Sequence, residues 1–152
     1  MIYNLSKPYV PDVSSYTVEP IANATYGFEL NSNGYYESKN KGINSSYAIC
    51  RVKLHLVANS IVFFKCINYA ESNYDYGIMG KVDTALSLSN SADSTYEMNF
   101  KGKSQSSEQS CTYTSVEKGD HFIDIKYIKD GSQSSNNDTF QFKVDEIQEG
   151  GK

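Results

Sequence analysis

The sequence is poor in several residue types on which common folds and activities depend. Its 152 residues include no tryptophan, two histidines, three prolines and three cysteines. The longest apolar run, from Ile61 to Phe64, is far shorter than the roughly 18 residues that a membrane-spanning helix needs. No basic segment followed by an apolar one opens the chain, so we expect neither a signal peptide nor membrane insertion.

The scarcity of catalytic residue types favours a protein without enzymatic activity. His55 is predicted on the polar face of a strand and His121 at a strand start, and neither belongs to a recognisable nucleophile motif. No spacing among the carboxylates singles out a glycosidase pair, and the tryptophan platforms that stack on sugars are absent. We therefore predict no catalytic residues, unless a histidine or carboxylate cluster converges in the fold.

The three cysteines do not have the spacing of a metal or redox site. Cys50, Cys66 and Cys111 form no CxxC pair and have no companion histidine at zinc-finger distance. Cys50 alternates with the apolar residues Val52 and Leu54, and this pattern predicts a small buried side chain. The alternative is a disulfide between Cys50 and Cys66 on paired strands.

The charge balance argues against a nucleic-acid partner. The net charge is −4, the isoelectric point is near 5.1, and the 14 lysines and arginines are scattered along the chain. Nucleic-acid binding usually requires a basic patch or stripe. We therefore expect no nucleic acid among the partners.

Aromatic residues are abundant and favour β-structure. The chain has 13 tyrosines and seven phenylalanines, which pack well on pleated sheets. Short strand-like runs are separated by turn residues, and their number and spacing predict an all-β protein, an antiparallel β-sandwich of jelly-roll type. The stretch at 83–93 is predicted as a loop. The nine predicted strands cover residues 26–30, 35–38, 46–57, 61–70, 74–82, 96–101, 110–114, 121–129 and 139–147.

Two pairs of predicted strands carry hairpin signals. Asn33 and Gly34 lie in the turn between the first two strands, and an Asn-Gly pair adopts positive φ readily. Asn59 and Ser60 form a two-residue break between the alternating runs at 46–57 and 61–70, which is the strongest local signal in the sequence. We therefore predict that each of these strand pairs forms a hairpin.

Residues 1–24 are predicted as an extended N-terminal arm, followed by the sandwich at 25–147 and a short tail at 148–152. The arm contains all three prolines, which disfavour a regular helix or a central strand. The alternative is a loose terminus. The candidate partner-binding residues of the arm are Tyr3, Tyr9, Val10 and Tyr16.

Two stretches resemble jelly-roll modules of the MAM and CUB-like kind. NYAESNYDYG at 68–77 is similar to their E-x-N-Y-D-Y strand–turn–strand, and KDGSQSSNND at 129–138 is similar to their approach to the last strand. Acidic residues of the first stretch can coordinate calcium in such modules, so the resemblance implies a calcium site at Glu71, Asp75 and Asp138. The remaining acidic ligands have no counterpart here, and we expect no other cofactor.

The layout of the whole chain resembles small virion proteins of tailed bacteriophages and prophages of Firmicutes. The resemblance rests on a short arm rich in tyrosine and proline, then YGFELNSNGYYES at 26–38, then the sandwich. It implies a head- or tail-associated fibre or decoration protein, assembled in the host cytoplasm and exposed on the virion. Its arm would dock to other virion proteins.

We therefore expect a non-enzymatic structural or adhesive protein of a virion that forms a homo-oligomer. Its displayed loops would lie around 71–75, 104–110 and 131–138, and a host-surface glycan is the ligand class that such loops could bind. The candidate ligand-facing residues are Asn73, Tyr74 and Tyr76. The alternative is a carbohydrate-binding module of a secreted or cell-surface bacterial protein.

Overall fold

The computed structural model describes residues 12–70, 74–101, 107–131 and 138–150, and these residues form β-strands and connections with no helix among them. The strands are β1 (Ser15–Pro20), β2 (Phe28–Leu30), β3 (Tyr36–Ser38), β4 (Tyr47–Leu56), β5 (Ser60–Tyr69), β6 (Tyr76–Met79), β7 (Met98–Asn99), β8 (Gln109–Val116), β9 (Gly119–Ile128) and β10 (Thr139–Glu149).

The strands form two five-stranded sheets. The first sheet has the order β1-β4-β9-β6-β7 and the second has the order β2-β3-β10-β5-β8. Every pairing between these strands is antiparallel. The predicted all-β class and the antiparallel β-sandwich are therefore confirmed.

The core lies between the sheets because the long strands alternate buried and partly exposed residues. Along β5, Val62, Phe64 and Cys66 are fully buried, and the intervening residues are only partly buried. The ring centroid of Phe64 lies 5.5 Å from that of Tyr113 and 6.3 Å from that of Phe142. Such aromatic contacts contribute beyond the apolar area they remove from water.

The sandwich begins earlier than predicted, at β1. This strand pairs with β4 from Ser15 opposite His55 to Pro20 opposite Cys50. Pro20 ends an edge strand, where its missing N–H breaks no internal ladder. The segment at 15–20 thus belongs to the first sheet, whereas residues 1–11 lie outside the described chain. At the other end β10 continues to Glu149, slightly beyond the predicted boundary.

One predicted hairpin is confirmed and the other is wrong. β2 and β3 pair around a turn in which Gly34 has φ of 84°, as its Asn-Gly sequence predicts. β4 and β5 do not pair, because they lie in different sheets. Both strands have an apolar face, and these faces meet across the core instead of lying side by side. The short break at Asn59 is a corner between sheets.

The three cysteines are free and buried. Cys50 is 2% exposed, which confirms the prediction of a small buried side chain. Cys66 lies in the other sheet, with its Sγ 3.9 Å from Sδ of Met79. Burial raises the pKa of the Cys50 and Cys66 thiols well above their ordinary value. The alternative of a Cys50–Cys66 disulfide is therefore not realised.

The predicted loop between β6 and β7 is held by a buried lysine of β9. The Lys126 Nζ lies 2.6 Å from Oδ1 of Asp93 and donates to the carbonyl oxygens of Ser87, Ser89 and Ser91, each at 3.0 Å. Burial lowers the pKa of Lys126, and its hydrogen bond with Asp93 opposes that shift. One ammonium group thus organises the loop.

Candidate functional site

Both histidines of the chain lie at one end of the first sheet. His55 is near the end of β4 and His121 is near the start of β9, and the register places His55 opposite Asp120. In an antiparallel pair the end of one strand lies beside the start of the other. Together with the beginning of β1, the histidines line an open groove of about 520 Å³, the histidine groove. Its lining residues are Ser15, Tyr16, Thr17, Lys53, Leu54, His55, Asp83, Asp120, His121 and Phe122.

His55 bridges two carboxylates. Its Nδ1 lies 2.7 Å from Oδ1 of Asp120, and its Nε2 lies 2.8 Å from Oδ1 of Asp12, just before β1. A carboxylate accepts hydrogen bonds, so both ring nitrogens donate only when the ring is an imidazolium. The hydrogen bonds with Asp120 and Asp12 accordingly raise the pKa of His55 above 6.5.

His121 has a similar arrangement in a more enclosed position. Its Nδ1 lies 2.7 Å from Oδ2 of Asp83, and its Nε2 lies 2.8 Å from the carbonyl oxygen of Glu117. Both partners are acceptors, so this ring too donates twice only when it is protonated. The hydrogen bond with Asp83 raises the pKa of His121, and burial opposes that shift.

Both histidine rings of the groove are engaged by protein oxygens. A general base needs a ring nitrogen within reach of a substrate proton, yet all four ring nitrogens of His55 and His121 contact protein oxygens. The Asp12–His55 contact connects the chain just before β1 to the end of β4. The groove also presents two aromatic rings, Tyr16 and Phe122. The Arg51 guanidinium covers one of these, lying 4.1 Å from the centroid of the Phe122 ring.

Of the predicted arm residues, the described chain includes Tyr16 alone. It lies in β1 with 40% of its surface exposed and lines the histidine groove. Tyr3, Tyr9 and Val10 lie outside the described residues. Val13, just before β1, is 62% exposed.

The candidate ligand-facing tyrosines differ in exposure. Tyr74 is 57% exposed, whereas Tyr76 belongs to β6 and is 7% exposed. Tyr76 packs in a small cluster with Ile78 and Ile128, so its assignment to a ligand-facing loop is corrected. Asn73 lies outside the described residues.

Asp75 and Asp138 lie close together, and the cation between them is a lysine. The Lys129 Nζ is 3.2 Å from Oδ2 of Asp75 and 2.7 Å from Oδ1 of Asp138. All three side chains are at most 1% exposed, and we call them the Lys129 cluster. Glu71 lies outside the described residues. Within the described ranges, no three His, Cys, Asp or Glu side chains are grouped so that they could hold a metal ion.

The sequence did not reveal either charged cluster in full. Nothing in the chain spacing relates His55 to Asp12 or His121 to Asp83, because these contacts depend on strand register. Lys129 was visible only as the first residue of a family-like stretch. A useful signal would have been the position of Lys129 directly after an apolar strand. A lysine buried at such a position requires a carboxylate partner.

Comparisons with known proteins returned no match. No protein-family model, no curated protein and no solved structure is significantly similar to the chain. Across the described segments, no helix has the length and apolar character required to cross a membrane.

Proposed function

We propose that this chain is a non-enzymatic structural or adhesive protein of a bacteriophage particle, which attaches through the segment that precedes β1. The observation that carries the proposal is the construction of β1. It is an edge strand tied to the sheet along six positions and held at its start by the Asp12–His55 contact. The described chain therefore begins at a fixed position on the sandwich.

The surface around β1 supports a role in attachment. Val13 and Tyr16 are exposed there, and exposed tyrosines are enriched at protein interfaces because a rigid ring removes much area from water. A second open groove of about 340 Å³ also includes Tyr16. Its remaining residues are Ser14, Ser15, Val144, Asp145, Glu146 and Ile147. Tyr16 thus contributes to two neighbouring concave surfaces.

The strand order supports a jelly-roll assignment. Without the two added edge strands β1 and β2, the sheets have the orders β4-β9-β6-β7 and β3-β10-β5-β8. Eight strands in this order form two Greek keys, which is the arrangement of a double-sheet jelly roll. The virion setting, the exposure outside the host and the homo-oligomer rest on the phage-like layout of the sequence. No cofactor is required for this role.

The first test compares three forms of the protein by light scattering, with circular dichroism to verify folding. These are the full chain, a chain that lacks residues 1–11 but keeps β1, and the variant Y16S. We expect the full chain to be a defined homo-oligomer and both altered forms to be folded monomers. The matched control is Y74S, which removes an exposed tyrosine elsewhere and should keep the oligomer. A full chain that is monomeric would contradict self-attachment through this segment.

The histidine groove favours a second candidate, the carbohydrate-binding module. Small-ligand sites combine apolar rings with a few polar groups, and here Tyr16 and Phe122 lie beside Lys53, Asp83 and Asp120. This candidate predicts that the folded monomer without residues 1–11 binds a glycan on an array and that Y16A loses this binding. If the monomer binds nothing on the array, the alternative is rejected.

A further inference from the structure

The Lys129 cluster joins the two sheets at one end of the sandwich. Lys129 directly follows β9 and Asp75 directly precedes β6, so the two continue the register in which Tyr76 pairs with Ile128. Asp138 directly precedes β10 of the second sheet. A lysine amine thus contacts two carboxyl groups at a fully buried position.

We propose that Lys129 and Asp75 condense to an intramolecular amide bond between Nζ and Cγ, and that Asp138 carries the protons of this reaction. The site is a self-modification site of the folded protein, and it needs no partner and no cofactor. The resulting cross-link joins β9 to β6 through side chains. The proposal does not depend on the role of the segment before β1.

The hydrogen bonds assign different roles to the two carboxyl groups. Asp138 is held as an acceptor, because the Gly42 N–H donates to its Oδ2 at 2.6 Å and the Tyr127 hydroxyl donates to its Oδ1 at 3.0 Å. Asp75 accepts from the Asp130 N–H at Oδ1, at 2.9 Å, while its Oδ2 faces the amine. Asp75 is therefore the group attacked and Asp138 is the base.

Burial favours the neutral form of the carboxyl group that is attacked. Burial raises the pKa of Asp75, although the Asp130 N–H and Lys129 oppose that shift. A proton that passes from the Lys129 ammonium to Asp75 produces an amine and a carboxylic acid. The same transfer in water would be unfavourable, because solvent stabilises both charges.

The chemical step balances without an oxidant or a reductant. The Nζ lone pair attacks Cγ of Asp75 and forms the C–N bond, and the charge that develops on Oδ1 faces the Asp130 N–H. Asp138 accepts a proton from the attacking nitrogen and returns it to Oδ2. The C–Oδ2 bond then breaks and Oδ2 leaves as water. One ammonium and one carboxylate thus become one amide and one water molecule.

Two physical effects favour the product at this position. The amide replaces two buried charges, whose removal from water is costly even when they are paired. The site has essentially no exposed surface, so bulk water has little access to it for the reverse reaction. After condensation Asp138 still has its donors, Gly42 and Tyr127.

The test is the intact mass of the full chain in denaturant, followed by peptide mapping with trypsin. We expect the protein to be lighter than its sequence by one water molecule. We also expect residues 66–81 to be linked to residues 127–143, because trypsin does not cleave after an acylated Lys129. A chain of full mass, with normal cleavage after Lys129, would overturn the proposal.

Mapping is essential because a second reaction also releases water. Asp130 precedes Gly131, and an Asp-Gly sequence can cyclise to a succinimide of the same mass. Water loss at Asp130 with normal cleavage after Lys129 would also overturn the proposal. This outcome is distinguished by the absence of the branched peptide.

Variants of each residue in the Lys129 cluster test the role of that residue in the reaction. K129R and D75A should have the full mass, and D138N should lose most of the cross-link while it keeps both reacting groups. K143R, which changes a partly exposed lysine of β10, should keep the cross-link. If a variant fails to fold, the mass and the peptide map of the unaltered chain still decide the question. A D138N protein that is fully cross-linked would overturn the role of Asp138.

Discussion

The two charged clusters at opposite ends of β9 use similar groups in different surroundings. At the start of the strand, the carboxylates that contact His55 are largely exposed, with side-chain values of 75% for Asp12 and 83% for Asp120. At its end, Lys129 and its two carboxylates have essentially no exposed surface. Solvent screens the first set and is excluded from the second. The exposed contacts should therefore respond to solution conditions, whereas the buried contacts should be required for stability.

The largest expected effect comes from breaking the Lys129 cluster. In K129M the proposed cross-link cannot form, and Asp75 and Asp138 are left in a buried position without a cation, so we expect the free energy of unfolding to fall by at least about 3–5 kcal/mol. The measurement is urea denaturation followed by fluorescence. The control is K143M, since Lys143 and Glu108 are 3.9 Å apart and partly exposed. That variant should cost less than about 1 kcal/mol. Equal effects would mean that burial does not distinguish the two pairs.

A smaller effect is expected from the loop that Lys126 holds. K126M removes the donor for three carbonyl oxygens and for Asp93, whose side chain is 15% exposed and can recover water. We expect a loss of about 2–3 kcal/mol, in the range for hydrogen bonds to a charged group. Hydrogen exchange should locate the change in residues 83–93. The control is K81M, which alters an exposed lysine in the same connection and should leave this exchange unchanged.

The histidine groove should respond to pH near neutrality. Both histidines have a raised pKa in the folded protein, so their contribution to stability is present below the ordinary pKa of 6.5. It is lost as the pH rises through the folded value. As the pH rises above about 6.5 we therefore expect the protection of the β1 amides, measured relative to their intrinsic exchange rate at each pH, to fall as imidazolium converts to imidazole. H55Q should reduce this pH dependence more than H121Q, because His55 alone contacts Asp12. Protection that stays constant or increases as the pH rises would contradict this sign.

The smallest effect is expected at an exposed pair of β1 and β4. Lys53 and Glu19 lie 3.3 Å apart with both side chains largely in solvent. The hydrogen bond from Thr17 and then that from Lys53 lower the pKa of Glu19. We expect K53Q to unfold at the same urea concentration as the unaltered protein, within error, at moderate salt. A clear loss of stability would show that contacts around β1 are stronger than their exposure suggests.

The long strands were predictable because their signal is local. Cys50, Val52 and Leu54 occupy alternate positions of β4, and side chains of a strand alternate between faces whatever the strand pairs with. The turn before Gly34 is equally local. β1 was missed because it lies in a segment, residues 1–24, whose three prolines and sparse apolar residues resemble a free arm. Pairing with β4 supplies the stabilisation that the sequence of β1 lacks.

Which strands pair with each other was less predictable than where each strand lies in the sequence. The short break at Asn59 is compatible with a hairpin and also with a corner between sheets. The choice depends on whether the apolar faces of β4 and β5 are better covered side by side or across a core. Only the packing of both complete sheets determines which arrangement removes more apolar surface from water.

The sequence by itself determined the β-rich class, the position of nine strands, the side of each long strand that is buried and the absence of catalytic motifs. The tertiary structure alone decided the sheet to which each strand belongs, the contacts of His55 with Asp12 and Asp120, and the position of Lys129 beside two carboxylates. The physical reason is the separation along the chain of the groups that interact. Side-chain alternation and turn conformation depend on neighbouring residues, whereas a buried charge or a bridging histidine depends on groups brought together from distant parts of the chain.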